Sequence, residues 1–313
     1  MPPALKGFIS LLFIVVATVL CCVPIYVLAI IRFVAPRAWE TPLSRFIDGI
    51  PNFWLGVQVF MSKYWLKVQW HVTAPPDLNP NQWYLLISNH QTWVDPFAIA
   101  AGVGSPQIPV TKFFAKQEVL WIPFVNLATY AIHCPMLKRY PKQALEKNPT
   151  LRLKDMETTL KSCRKLAEYP NTIATFAEGT RWTPKKYLKQ HPPSPFQYLL
   201  RPKVGGIAYA IQALGDKITD SILDVTVLFP TRTPTFWAYL CGLVPEATVI
   251  VKKRSLPQAL RQGDYATDPA FREAFKQWLY TLWDEKDALL REYYTKKWPC
   301  CMNGHVSTSS RTL

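Results

Sequence analysis

The chain contains two polar blocks, each of which coincides with the end of a short apolar run. The first block, 89–95, follows the run 83–88, and the second, 176–181, overlaps the end of the run 172–176. Apolar runs of this length, bounded by turn residues, are typical of buried strands. Ligands of α/β sheets bind at the carboxyl ends of the strands, so two blocks that are far apart in sequence can meet there. The pattern predicts an α/β fold with a site at one edge of the sheet.

The first block supplies a candidate base and a candidate orienting carboxylate. His90 can exchange a proton near neutral pH without a large pKa shift, which suits a general base. If a helix begins within 92–96, the Asp95 carboxylate could turn back to the imidazole, fix its tautomer and stabilise its charged form. For such a pair taken alone, a satisfied histidine beside an aspartate helix cap is the competing interpretation.

The second block offers the parts of an anion site. Glu178 is a carboxylate, Gly179 lets the backbone approach a ligand closely, Thr180 adds a hydroxyl, and the Arg181 guanidinium matches a phosphate group. A surface turn in which Glu178 pairs with Arg181 is the alternative for this block by itself.

Together the two blocks resemble those of the glycerolipid acyltransferase family, the PlsC-like 1-acylglycerol-3-phosphate acyltransferases. The family pattern is Asn-His-x4-Asp, followed by Phe-Pro-Glu-Gly-Thr/Ser-Arg. Residues 89–95 match the first part fully, and 176–181 match the second except that Ala177 stands where proline is usual. The segments 131–139 and 225–230 resemble the two remaining family blocks in the family's order. The stretch 181–206 is most similar to an inner-membrane branch of bacterial acyltransferases.

This resemblance implies a reaction and its participants. A fatty acyl group would pass from acyl-CoA or acyl carrier protein to the free sn-2 hydroxyl of 1-acylglycerol-3-phosphate, giving phosphatidic acid. His90 would act as the base and Asp95 as its orienting partner. Two alternatives stay open: another lysophospholipid as acceptor, and a catalytically silent lipid-binding protein of the same fold.

The resemblance also implies the substrate-binding residues. Those expected to hold the acceptor phosphate, or to form the turn beside it, are Arg139, Glu178, Gly179, Thr180, Arg181 and Lys203. No cofactor is expected apart from the acyl thioester, which is a co-substrate. The seven cysteines form no CxxC pair and no zinc-ligand spacing, so we expect reduced thiols and no metal site.

An uncharged run near the N-terminus predicts a membrane anchor. Residues 7–31 carry no charge over 25 positions, and at ~1.5 Å per residue such a helix exceeds the ~30 Å hydrocarbon core of a bilayer. Pro24 lies inside it, which leaves open a kinked span or a helix that turns back within one leaflet. A cleaved secretory signal is the rival, but the run is long and lacks a small-x-small cleavage site.

The arginines that follow this run, against a lone Lys6 before it, place the rest of the chain in the cytosol by the positive-inside rule. With the family resemblance, the expected location is a bacterial inner membrane. The net charge of +15 fits an anionic membrane surface as a partner. Nucleic acid is the competing partner of a basic protein, and no nucleic-acid motif accompanies the basic groups.

The expected fold is a mixed α/β sheet flanked by helices, with N-terminal membrane helices. Predicted domains are the anchoring helices 1–66, the acyltransferase domain 67–298 and a disordered tail 299–313. A second membrane-seated helix is expected within 46–66, although a core helix fits nearly as well. Strands are predicted at 67–72, 83–88, 107–111, 129–134, 171–177, 222–229 and 246–252. Further helices are predicted at 96–103, 154–168, 204–214 and 270–292. The proline-rich stretch 182–203 is predicted to be a long functional loop.

Overall fold

The computed structural model describes residues 1–104, 106–116, 125–134, 136–137, 166–218, 220–265 and 267–297. Its helices are α1 Pro3–Val34, α2 Glu40–Tyr64, α3 Asp95–Val103, α4 Val125–Ala131, α5 Pro184–Leu188, α6 Val204–Leu214, α7 Phe236–Leu240 and α8 Pro269–Lys297. Its strands are β1 Gln69–Thr73, β2 Tyr84–Ser88, β3 Thr111–Phe113, β4 Ala115–Lys116, β5 Met136–Leu137, β6 Thr172–Phe176, β7 Ile222–Leu228 and β8 Glu246–Arg254.

Six of the strands form one mixed sheet in the order β1-β8-β7-β2-β6-β3. The central strand β2 is parallel to β6 on one side and to β7 on the other, whereas β8 runs antiparallel to β7. All residues of β2 are buried, as expected for a strand covered on both faces. The predicted mixed α/β sheet is confirmed. Because β2, β6 and β7 are parallel, the segments that follow them leave the sheet at the same edge.

Helices cover both faces of this sheet. Leu85 and Ile87 of β2 face the core formed with α6 and α8, whereas Tyr84 and Leu86 face the core formed with α3. This alternation follows from the two-residue period of a strand. On the α3 side, a Cβ atom at Gly102 would lie 2.6 Å from Val249 Cγ1 on β8. The bare glycine therefore lets α3, which begins at Asp95, lie close against the sheet.

The first two helices form an antiparallel hairpin. Helix α1 is continuous through Pro24, so the chain reverses only after Val34. Whether α1 spans a bilayer or lies within one leaflet stays a prediction. The Trp65 indole, just after α2, donates to the Ser10 hydroxyl near the start of α1 at 2.9 Å. Within the part of the chain that the structure describes, α1 alone is long and apolar enough to cross a membrane, and little of it is buried. These features indicate membrane association. The packing of Phe8 on Trp237 joins α1 to α7, with ring centres 5.1 Å apart.

One predicted strand is wrong. The segment 129–134 was expected to be extended, but α4 covers Val125–Ala131 and a turn follows it. A short apolar run fits a buried strand and a buried helix equally well. Ala128 and Ala131, three residues apart, pack with Ile25 and Ile47 of the N-terminal hairpin, so the contact with α1 and α2 favours the helix.

Other element predictions agree more closely. The helices predicted at 204–214 and 270–292 are α6 and α8, and the helix within 46–66 is part of α2. The strand predicted at 107–111 is displaced to Thr111–Phe113. Most of the predicted helix 154–168 and all of the predicted tail 299–313 lie outside the described residues. The boundaries of the three predicted domains stay a prediction.

Candidate active site

His90 and Asp95 form a hydrogen-bonded pair at the carboxyl end of β2. Nδ1 of His90 lies 2.7 Å from Oδ2 of Asp95, the first residue of α3. The Asp95 side chain is completely buried, whereas that of His90 is 14% exposed. No acceptor or donor engages Nε2 of His90 among the residues described. The pair has the geometry in which a carboxylate fixes the imidazole tautomer and leaves the second ring nitrogen for chemistry.

Backbone amides hold the Asp95 carboxylate in place. Its Oδ2 accepts from the amides of Gln91 and Thr92 at 2.7 and 3.0 Å, as well as from His90. Burial raises the pKa of Asp95, while the hydrogen bonds from His90 and the two amides oppose that rise. The carboxylate is thus a fixed acceptor rather than a mobile one.

Asn89 attaches the His90 loop to the neighbouring strand. Its side-chain amide donates to the carbonyl of Val227 and its side-chain oxygen accepts from the amide of Val227, both at 2.9 Å. These are the two bonds that a paired strand residue would make with its backbone. The asparagine of the motif is therefore part of the sheet's hydrogen bonding.

The imidazole of His90 lies flat on Phe176. The ring centres are 4.0 Å apart and the planes differ by 14°. Phe176 in turn stacks on Phe113 of β3, with a centre-to-centre distance of 5.7 Å. Sequence reasoning assigned no role to either ring. Phe176 could have been found, because it ends β6, and β6 pairs in parallel with β2, the strand that precedes His90.

Glu178 is a buried side chain that bonds to the backbone of the His90 loop. Its Oε1 accepts from the His90 amide at 2.8 Å and its Oε2 from the Leu200 amide at 2.9 Å, and the residue is 1% exposed. Burial raises the pKa of Glu178 to about 8. The structure places this carboxylate between two backbone segments, which suits a positioning role better than the predicted contact with substrate. No ion pair joins it to Arg181 within the described residues, so the alternative of a Glu178–Arg181 surface turn is wrong.

The rest of the second block forms a turn with a cationic edge. Gly179 has φ of 71°, a left-handed conformation that glycine adopts without strain. The Thr180 hydroxyl accepts from Lys186 Nζ at 2.6 Å. The Arg181 guanidinium lies 4.5 Å from the ring centre of Trp93, whose side chain is largely exposed. Arg181 is thereby held beside the His90 loop.

Of the two remaining predicted phosphate ligands, the structure describes Lys203. Lys203 is exposed, and its amide donates to the Ala177 carbonyl at 2.6 Å, which joins its segment to the second block. Arg139 lies outside the described residues, and its role stays a prediction.

Sequence reasoning missed the contribution of a third segment, the loop between β7 and α7. The Thr92 hydroxyl donates to the Pro234 carbonyl at 2.7 Å, so this loop contacts the one that carries His90. Arg232 of the same loop packs its guanidinium 3.4 Å from the ring centre of Trp182. Trp182 also donates its amide to the His90 carbonyl at 2.7 Å. Three strand-end segments therefore meet around His90.

Two cavities lie on the α2 side of the sheet. One, of about 1010 Å³, opens between α2 and residues that precede β2, β3 and β6, at the edge opposite His90. The other, of about 130 Å³, reaches Pro96 and Phe113, and shares Asn52 and Gly56 with the first. The large cavity holds no base or nucleophile, so its size does not make it the reaction centre. We assign the chemistry to the His90 edge, towards which the smaller cavity extends at Pro96 and Phe113.

The chain matches known proteins over this same region. The family model described as "Acyltransferase" matches residues 69–229, which include both polar blocks. The mouse 1-acyl-sn-glycerol-3-phosphate acyltransferase gamma is 29% identical over 198 residues, covering 60% of this chain and 46% of that protein. The rat 1-acyl-sn-glycerol-3-phosphate acyltransferase delta is 24% identical over 251 residues, covering 75% and 60%. The chain thus spans about half the length of these relatives.

A solved structure is also similar. The crystal structure of the 1-acyl-sn-glycerophosphate acyltransferase PlsC from Thermotoga maritima aligns over 86% of this chain and 97% of its own, with a TM-score of 0.40 and 15% identity. The match to the family model rests on sequence and extends from β1 to the residue that follows β7. It covers about half of the chain and confirms the resemblance seen in the two blocks: this chain belongs to the Acyltransferase family.

Proposed function

We propose that the protein transfers a fatty acyl group from an acyl thioester to the free hydroxyl of a lysophospholipid, with 1-acylglycerol-3-phosphate as acceptor and phosphatidic acid as product. The observation that carries this proposal is the 2.7 Å contact between His90 Nδ1 and the buried Asp95 carboxylate. It leaves the other ring nitrogen of a partly exposed imidazole to accept a proton. The names of the mouse and rat relatives support the choice of acceptor.

The transfer needs no covalent enzyme intermediate. Nε2 of His90 accepts the proton of the acceptor hydroxyl as its oxygen attacks the thioester carbonyl carbon. Asp95 stabilises the imidazolium that forms. The carbon–sulfur bond then breaks, and the imidazolium returns the proton to the departing thiolate, so that ester and free thiol are released. Acyl-CoA or acyl carrier protein is the proposed donor, and no cofactor takes part.

The acceptor phosphate is assigned to the cationic edge of the second block. Arg181 is stacked on Trp93, which leaves the N–H edges of its guanidinium available for a phosphate. Lys203 and Arg139 are proposed as further contacts, and Gly179 and Thr180 shape the turn. The smaller cavity, which Pro96 and Phe113 line, is mainly apolar and extends towards α2, so it suits part of an acyl chain that leads away from the reacting carbon.

The hairpin of α1 and α2 is proposed to hold this site at a membrane. Exposed apolar side chains are frequent along α1 and continue on α2 at Phe46, Phe53 and Phe60. The finer location predicted from the sequence, the cytosolic side of a bacterial inner membrane with anionic lipids, forms part of the proposal. The arginines at the end of the uncharged run support that orientation.

The experiment that tests the function is an acyl-transfer assay with membranes that contain the full chain. Acceptors are a panel of lysophospholipids with different headgroups, and donors are acyl-CoA and acyl carrier protein. We expect transfer to 1-acylglycerol-3-phosphate that disappears in His90→Ala. Transfer only to a different lysolipid would keep the chemistry and change the acceptor. No transfer to any acceptor from either donor would contradict the proposal.

Membrane attachment has its own test. Membranes are washed with high salt and with carbonate, and the full chain is compared with a chain that lacks residues 1–40. The full chain should stay bound, because salt screens surface charges but does not release a buried apolar helix. Release of the full chain by salt alone would show that its basic residues, rather than α1, provide the attachment.

A further inference from the structure

The loop between β7 and α7 carries an arginine that the two sequence blocks do not include. Arg232 follows a strand that is parallel to β2, so it leaves the sheet at the same edge as His90. The bond from the Thr92 hydroxyl to the Pro234 carbonyl joins this loop to the His90 loop. Arg232 therefore belongs to the rim of the site by topology and by direct contact.

Aromatic rings hold the Arg232 guanidinium. Its central carbon lies 3.4 Å from the ring centre of Trp182 and 4.7 Å from that of Tyr198. Stacking on aromatic faces is a common way to fix a guanidinium while its N–H groups point outward in the ring plane. Trp182 is itself bonded through its amide to the His90 carbonyl. The Arg232 guanidinium thus contacts Trp182, which in turn is bonded to the backbone of His90.

The hydrogen-bonding capacity of Arg232 is poorly used. One of its terminal nitrogens donates to the Gln197 carbonyl at the long distance of 3.4 Å, and its buried Nε has no acceptor. Within the described residues, no carboxylate lies within ion-pair distance of either Arg232 or Arg181. The two buried lysines of the described residues, by contrast, are neutralised, Lys112 by Asp48 and Lys286 by Asp224, each at 2.6 Å. A guanidinium that is enclosed by aromatic rings, has no carboxylate partner and keeps unused N–H donors is typical of an anion site.

We propose that Arg232 is a second phosphate-recognising residue of the site, and that it binds a phosphate group of one of the two substrates. This inference rests on the proposed function. Two phosphate sources fit the chemistry: the phosphomonoester of the acceptor lysolipid and the phosphate groups of a CoA thioester. Burial by the surrounding rings lowers the pKa of Arg232, yet the side chain stays charged because an arginine begins from a very high value.

The test uses the full-length protein in detergent and two matched pairs of substrates. The acceptors are 1-acylglycerol-3-phosphate and 1-acylglycerol, and the donors are acyl-CoA and the acyl thioester of N-acetylcysteamine, which lacks phosphate. Arg232→Gln is compared with the unmutated chain and with Arg261→Gln. Arg261 is a suitable control because it pairs with Asp220, before the start of β7, at the opposite edge of the sheet.

Arg232→Gln should raise the KM of one phosphate-bearing substrate by about tenfold or more, because a charge-assisted hydrogen bond is lost. The KM of its phosphate-free partner should not change. A rise confined to 1-acylglycerol-3-phosphate assigns the acceptor, and a rise confined to acyl-CoA assigns the donor. Equal effects on both members of each pair, or no effect on any KM, would overturn the proposal. Arg232 would then have a structural role and hold the 182–203 segment in place.

Two further measurements keep the result decisive. If Arg232→Gln does not fold, Arg232→Lys takes its place, since it keeps the charge but loses the fork, and it should show a smaller rise with the same selectivity. Binding of inorganic pyrophosphate and of CoA is also measured by calorimetry. If no acyl transfer occurs with any substrate, the proposed function fails. In that case weaker binding of either probe to the Arg232 variant still supports the anion site, and unchanged binding rejects it.

Discussion

Lys112 Nζ of β3 lies 2.6 Å from the Asp48 carboxylate of α2, and both side chains are almost completely buried. The Tyr169 hydroxyl also donates to Asp48, and Lys112 donates to the Ile132 carbonyl at 2.8 Å. This ion pair joins the N-terminal hairpin to the sheet. The residue after Lys112 is Phe113, which lies under the ring that supports His90. The ion pair that attaches the hairpin therefore lies next to the stacked rings that support His90.

Removal of one member of this pair should destabilise the protein strongly. Asp48→Leu or Lys112→Met each leaves a buried charge without its partner, which costs about 3–5 kcal/mol. The double variant should lose less stability than the sum of the two, because no charge is left unpaired. Chemical unfolding of all four proteins in the same detergent provides the cycle. Additive losses would mean that the two charges do not stabilise each other.

The catalytic pair should respond unequally to substitution. His90→Ala removes proton transfer, which contributes about 10²–10⁴ in rate, and also removes the group that orients the attack. Asp95→Asn should reduce turnover by the same amount or less, since the imidazole remains but its tautomer is no longer fixed. Turnover is measured with saturating substrates, and folding is checked by thermal unfolding. Near-normal turnover in His90→Ala would remove the pair from the mechanism.

Glu178 should make stability depend on pH. Burial raises its pKa from 4.5 to about 8, so between these values the folded chain holds a proton that the unfolded chain has lost. Its contribution to the free energy of unfolding is therefore full below about pH 4.5 and is lost as the pH rises through 8. Asp95 and Lys286, the nearby charges, are kept unchanged. Glu178→Gln should flatten this slope between pH 5 and 8.

The matched control is Glu292→Gln, because Glu292 is exposed on α8 and pairs with Lys296 one helical turn away. Thermal midpoints of both variants and of the unmutated protein are compared at pH 5 and pH 8.5. A slope in Glu178→Gln as steep as in the unmutated protein would show that another group titrates. Turnover should also fall in Glu178→Gln, because a side-chain NH₂ group cannot accept the hydrogen bond that one Glu178 oxygen accepts from a backbone amide.

Arg181→Lys should weaken the binding of phosphate-bearing acceptors. An ammonium group cannot reproduce the bidentate fork, and it stacks less well on Trp93. The effect should appear in the acceptor KM, with the donor KM unchanged. A kinetic series with acceptors that carry or lack a phosphate provides the measurement. An equal loss for both acceptors would make Arg181 a structural residue rather than a headgroup ligand.

Local pattern predicted the parts of the site that follow strands. The apolar runs before His90 and Glu178 placed both residues at strand ends, and the spacing of His90 and Asp95 anticipated their contact. Burial of Glu178 was not predictable in the same way. A carboxylate beside a glycine in a turn resembles a surface residue, and only the return of the chain at Leu200 encloses it.

The sequence pattern led to a wrong prediction where an apolar segment was too short to show the hydrophobic periodicity that distinguishes a helix from a strand. The segment 129–134 could pack in either form, and contact with the distant α1 and α2 decided between them. Arg232 shows a second limit. Its neighbours Trp182 and Tyr198 come from a proline-rich segment whose path over the sheet edge has no local signature. Such contacts depend on tertiary structure, which outweighs local propensity.

In the proposed enzyme, the bonds between Asn89 and Val227 belong to the part of the site that cannot vary. The base is fixed to the sheet itself through its neighbour, so any shift of β7 relative to β2 would move the imidazole. The cationic groups, by contrast, sit on connecting segments outside the ladder. A designer who wishes to change the preferred headgroup should therefore rebuild these segments and leave the strands untouched. Natural divergence among such transferases can follow the same route, altering the acceptor while the reaction is kept.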